Sequence, residues 1–127
     1  MMEATQKYLD GCREDLDAAK ALLDAGQPFY VPFICHQALF KVLRGYYLES
    51  RNSYPLADVR LNLIAEEGGA AAFLSDEDKA LLVELSFFPD AIAHSVYREK
   101  LWKHSENAPE ILDRTRHVVE AVLSKIR

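Results

Sequence analysis

Leu9, Leu16 and Leu23 recur at heptad spacing near the start of the chain, with Tyr8, Cys12 and Ala19 filling the same face. Apolar positions three and four apart mark an amphipathic helix, and they predict one over about 3–25. Asp10, Arg13, Glu14, Asp17 and Lys20 fall mainly on its other side. Gly26 and Pro28 stop it, because glycine takes the left-handed turn that ends helices and proline cannot continue one. The next segment, about 30–50, is different in kind. VPFICHQALFKVLRGYYL is apolar around most of its circumference, which predicts the central, most buried helix, with Pro32 tolerated only in its first turn. One narrow polar stripe interrupts it: Gln37, Lys41 and Arg44, at spacings of four and three.

RNSYP ends that helix and opens a shorter one over about 55–67, with Leu56, Val59 and Leu63 inward and Gly68-Gly69 as the break. Ser75 stands three residues before Asp78, close to a capping box. The helix that follows buries Leu81, Leu82 and Leu85, and Pro89 kinks or breaks it. Asp90 to about Lys103 reads as a possible second short helix. The last helix, about 107–126, opens at Asn107 with Pro109 in its first turn. Its inward face is Ile111, Thr115, Val118, Val122 and Ile126, widened by Leu112 and Val119. With no strand-period alternation and no internal repeat, the expectation is all-α: an antiparallel up-and-down bundle of four main helices plus a short one, forming one domain over 1–127.

Composition supports that picture and narrows the partners. Half the residues are hydrophobic and 28% charged, the profile of an ordinary globular chain. A net charge of −5 argues against a broad footprint on duplex nucleic acid, while leaving room for a local basic groove. Cys12 and Cys35 have no zinc or CxxC spacing and fall in apolar helical patterns, so buried free thiols in a reducing compartment are expected. The opening MMEATQKYLD lacks the basic and apolar regions of a signal peptide, and no run approaches the roughly 20 apolar residues of a membrane span. The expected location is cytoplasmic, with no membrane partner.

Candidate chemistry is sparse. No His-x3-His, Glu-x-x-His or carboxylate cluster has metal-ligand spacing, there is no Gly-rich phosphate loop, and no cofactor is implied. Residues 97–104 read YREKLWKH, which sets Arg98 and His104 six positions apart. His36 reads as a helix-packing residue. His94 follows Pro89 in an irregular stretch, and pairing with His104 or Arg98 is an option that nothing in the sequence requires. His117 reads as the i,i+4 partner of Asp113. Phe87-Phe88 and the surface tyrosines offer an apolar dimer patch, with core packing as the plainer use.

Glu14-Asp15-Leu16-x-x-Ala19, Gly26, and then Phe33-x-x-His36-Gln37-Ala38-x-x-Lys41-x-Leu43-Arg44 resemble the opening of small HEPN domains. These typically show a D-L-x-x-A helix followed by a Q-A-x-E-K-x-L-K helix. Phe40 replaces the usual acidic residue and Arg44 the second lysine. Tyr54-Pro55-Leu56-Ala57-Asp58-Val59-x-x-x-Leu63 is similar to the family's Pro-x-T-H-D-L-x-x-L segment without its histidine. Val96-Tyr97-Arg98 stands where many members carry R-Y-P. The resemblance implies an all-α bundle that often forms a homodimer, and work beside a small nucleotidyltransferase or as a metal-independent ribonuclease. In the ribonuclease branch an arginine and a histidine four to six residues on mark the site. Arg98 and His104 match that spacing, with Glu99 where Asn, Asp or His is usual.

The chemistry of the pair is sound in principle. Histidine takes the 2′-hydroxyl proton, arginine holds the developing phosphorane charge, and Trp102 or Tyr97 stacks on a base. Against it, so loose a pattern arises about once by chance in a chain of this composition. Six helical steps also set the two side chains about 120° apart. The preferred reading is therefore a binding module for nucleotide or RNA, with Gln37, Lys41 and Arg44 contacting nucleotide or acidic partner groups. An endoribonuclease using Arg98 and His104 is the alternative, and a generic interaction bundle is the third.

Overall fold

The second helix organises the molecule. In the computed structural model, which describes residues 1–54, 60–86 and 103–126, α2 runs Val31–Arg51. It packs against α1 (Glu3–Asp24), α3 (Leu61–Gly68), α4 (Asp76–Leu85) and α5 (Ala108–Leu123). Its apolar circumference explains this position: Val31, Cys35, Ala38, Leu39, Val42, Leu43 and Leu48 are all buried, each toward one neighbour or another. Pro32 sits in the first turn, where its missing N–H costs nothing. Asn52, in the left-handed region at φ 52°, closes the other end. Every regular element among the described residues is helical.

α1 runs antiparallel to α2. The Met2 amide donates to Glu49 at 2.9 Å near one end of the pair, and Lys41 meets Asp15 at 2.7 Å further along. Leu9, Cys12 and Ala19 are buried between them, while Asp10, Arg13, Glu14, Asp17 and Lys20 are exposed, as the periodicity predicts. Gly26 adopts φ +71° just past the helix end, a conformation that disfavours any residue with a Cβ.

α3 departs from its expected limits. It starts at Leu61, after Arg60 in extended backbone, and its buried positions are Leu61, Ile64, Ala65 and Gly68. Leu63 is half-buried, so the inward register is displaced from the one assigned by sequence. Gly69, at φ +91°, ends the helix as expected, and a single 3-10 turn, Ala70–Ala72, follows that nothing in the hydrophobic pattern marks.

α4 opens on a complete capping box: the Ser75 hydroxyl accepts from the Asp78 amide at 3.1 Å, and the Asp78 carboxylate accepts from the Ser75 amide at 3.3 Å. Leu81, Leu82 and Leu85 are buried as expected. α5 begins after Asn107 with Pro109 in its first turn and buries Ile111, Leu112, Thr115, Val118, Val119 and Val122. It ends at Leu123, leaving Ile126 beyond the helix and half-buried. Asp78 meets His117 and Glu84 meets Arg114, so α4 and α5 are antiparallel as well. Leu56, Val59, Phe87-Phe88, Pro89, the short helix expected from Asp90, and His94, Tyr97, Arg98 and Trp102 lie outside the described residues.

Candidate functional site

The stripe assigned to Gln37, Lys41 and Arg44 does not stand free in solvent. Lys41 and Arg44 turn toward α1, because the antiparallel pairing sets Asp15 opposite Lys41 and Tyr8 opposite Arg44. The Lys41 ammonium donates to the Asp15 carboxylate at 2.7 Å. The Arg44 guanidinium donates to the Tyr8 hydroxyl at 3.2 Å and lies 5.0 Å from the Phe40 ring centroid and 5.7 Å from that of Tyr8. Contacts of this kind attract a cation to the π face. Phe40, where the resembled pattern has an acidic residue, therefore supplies a ring for Arg44 to rest on. Gln37 is half-buried on the same stripe.

Beside this seam lies a groove of about 520 Å³, lined by Glu3, Ala4, Lys7, Tyr8, Gly11, Lys41 and Tyr54. Of the three stripe residues only Lys41 reaches it. Lys7, Gly11 and Tyr54 are missed by sequence reasoning, and Tyr8 is read there only as filling the buried face. One signal was available: Gly11 stands in the interior of a long helix, where glycine is less favourable than alanine by about 1 kcal/mol. A Cβ at that position would stand 3.1 Å from Lys41 Cδ, so the glycine makes room for the lysine stem.

A second polar constellation joins α4 and α5. Glu84 faces His104 Nε2 at 3.5 Å through one carboxylate oxygen and Arg114 at 3.2 Å through the other. His104 is half-buried in helical backbone, just before the turn at 106–107. Arg98 lies outside the described residues; among those described, Arg114 is the arginine that meets the carboxylate facing His104. Nearby, His117 Nδ1 lies 3.0 Å from Asp78 Oδ1, which corrects its expected pairing with Asp113. A partner one helix away outranks the i,i+4 neighbour because Asp78 is nearly buried and needs a donor there.

The remaining candidates are structural. His36 is buried and stacks on Phe40, with ring centroids 6.2 Å apart, in keeping with its assignment to helix packing. Both cysteines are free and buried. Burial, with the Asp15 carboxylate nearby, pushes the Cys12 thiol up to about 12, and burial pushes Cys35 up to about 11. At neutral pH both are inert thiols. Among the described residues, no group of three or more His, Cys, Asp or Glu is placed to hold a metal ion, and no helix is long and apolar enough to cross a membrane.

A helical bundle with a salt-bridged basic seam between its first two helices defines the class: a small helical module with no strand among the described residues. The sequence model of the HEPN domain matches residues 5–126, and the chain belongs to that family. No curated protein and no solved structure matches it.

Proposed function

We propose that this HEPN chain is a binding module that dimerises and serves a nucleotide- or RNA-related system beside a nucleotidyltransferase partner. One observation carries the reading. Three charged residues of the family pattern lie in the α1–α2 seam, Lys41 on Asp15 and Arg44 on Tyr8, and the seam borders a groove edged by a second lysine and two tyrosines. Cations held in place beside aromatic rings suit phosphate and base together. The test is a titration of the purified chain with ATP and with a single-stranded RNA oligomer at low salt, with sedimentation to determine its mass. Saturable binding of either ligand by a dimer is the expected result. A monomer that binds neither overturns the reading.

A second reading, a metal-independent endoribonuclease using Arg98 and His104, draws support from the His104 imidazole facing Glu84. A carboxylate in that position orients an imidazole for general-base work. RNA degradation in the presence of a chelator, compared between the natural chain and His104→Ala, decides it. Loss of activity in the variant supports the pair, and equal activity in both removes it.

A further inference from the structure

We infer that the groove between α1 and α5 is a docking surface for a basic amphipathic helix of a partner protein. The inference is independent of the nucleotide reading above, because it concerns different residues of α1. α1 rests on α2 far more than on α5, and beside the looser contact runs a groove of about 330 Å³. A helix with its side chains is about 10–12 Å across, so a groove of this size receives the apolar ridge of a helix and leaves its polar face in water.

The floor of the groove is aliphatic. Leu16 comes from α1, and Val119 and Leu123, four residues apart, come from α5. Val119 is buried, while Leu16 and Leu123 are half-buried and keep apolar surface open to the groove. Aliphatic side chains from two neighbouring helices make the surface that takes anchors spaced at i, i+3, i+4 and i+7 along a third.

The rim decides the charge of the occupant. Arg13 is already paired with Asp10 at 3.7 Å, and Lys20, further along α1, with Asp24. Asp17 and Glu120 line the groove, are exposed, and make no ion pair among the described residues. Asp113 stands two turns before Glu120 on the same side of α5, and it too is exposed and makes no ion pair among the described residues. Against these three acids the lining sets Arg116, half-buried and likewise without an ion pair among the described residues. On a chain of net charge −5, an apolar floor edged mainly by unmatched carboxylates is complementary to leucine-type anchors flanked by lysine or arginine. A second copy of the chain would bring the same acids to the rim. The hollow between α4 and α5 lacks this character. It encloses about 140 Å³, and its Asp78, Arg114 and His117 already meet partners within the fold.

The experiment is a fluorescence-anisotropy titration of the full chain with three labelled synthetic peptides. The first is an amphipathic helix with leucines at i, i+3, i+4 and i+7 and lysines elsewhere. The second replaces the lysines by glutamates, and the third scrambles the first so that its leucines share no face. The first is expected to bind at least about tenfold more tightly than either of the others. Asp17→Lys combined with Glu120→Lys, both at exposed positions, should weaken the first peptide about tenfold or more and improve the second. Glu66→Lys combined with Glu67→Lys on α3 makes the same change in net charge elsewhere and should leave the first peptide within about twofold. Circular dichroism should show the same helix content in both variants as in the natural chain. No binding of the first peptide, equal binding of all three, or equal losses in the two variants overturns the proposal. A change of mass in sedimentation caused by Asp17→Lys with Glu120→Lys also overturns it, by assigning the groove to a second copy of the chain.

Discussion

Lys41 shows what a polar position on an apolar helix leaves open: the sequence marks the stripe, and the structure supplies Asp15 as its partner. Its side chain is 35% exposed and that of Asp15 20%, so the pair is screened by water less than a surface ion pair is. Lys41→Met keeps the apolar stem and deletes the charge, which leaves Asp15 unmatched. The expected loss is about 1–2 kcal/mol, measured as a drop in the urea midpoint, and Asp15→Asn in the same background should add little more. The spacing of 37, 41 and 44 shows that these residues share a face. It does not show that α1 lies across that face, because side-chain periodicity carries no information about which helix comes to rest there. Lys7 and Tyr54 were missed as groove residues for the same reason: neither carries a site signal in its own segment, Tyr54 entering only through the resembled pattern, and each borders the groove through neighbours distant in sequence. The thiols give a second test. In the folded chain Cys12 and Cys35 hold their protons up to about 12 and about 11, against an ordinary value of 9.0. The unfolded chain therefore releases protons first as pH rises. The stability they contribute is complete below about pH 8.5–9 and is lost as pH climbs through 11 to 12. Urea unfolding at pH 8 and pH 10.5 should show a steeper decline in the natural chain than in a Cys12→Ala, Cys35→Ala variant. A thiol-specific reagent at pH 8 should label both only after unfolding.

Among the helices, those whose starts carry a signal were legible, and α3, marked only at its glycine end, was not. The 3.6-residue pattern and the end signals of α1, α2 and α5 placed each to within a few residues, and Ser75 with Asp78 marked the start of α4. α3 is short, eight residues, and although Gly69 marks its end, nothing in the sequence marks its start at Leu61. Its apolar residues can be divided between two registers, so tertiary packing chose the one with Leu61 and Ile64 inward. At α4 the capping box makes a graded prediction. Ser75→Ala removes one reciprocal bond and should cost about 1 kcal/mol by thermal or urea unfolding. Asp78→Ala should cost more, about 2–3 kcal/mol, because the same carboxylate also takes the contact with His117. Equal losses in the two variants would mean that the His117 contact contributes nothing.

For the molecule as a whole, the arrangement around α2 implies that little can be removed from that helix. Leu39 is buried to 0% exposure in the core shared by the surrounding helices. Leu39→Ala should cost about 2–5 kcal/mol, a large part of the roughly 5–15 kcal/mol available to a small domain. It should lower the melting temperature without changing the mass in sedimentation if the chain associates through its outer faces. The double duty of Asp78 has a consequence for how the molecule breathes. One oxygen closes the first turn of α4 and the other rests on the middle of α5, so that turn cannot fray as helix ends ordinarily do without releasing a neighbour. Amide exchange at Asp78 and Lys79 should accordingly be slow for a helix start, and His117→Ala should accelerate it, although that histidine lies on a different helix. The beginning of α4 and the centre of α5 would then open as one cooperative unit.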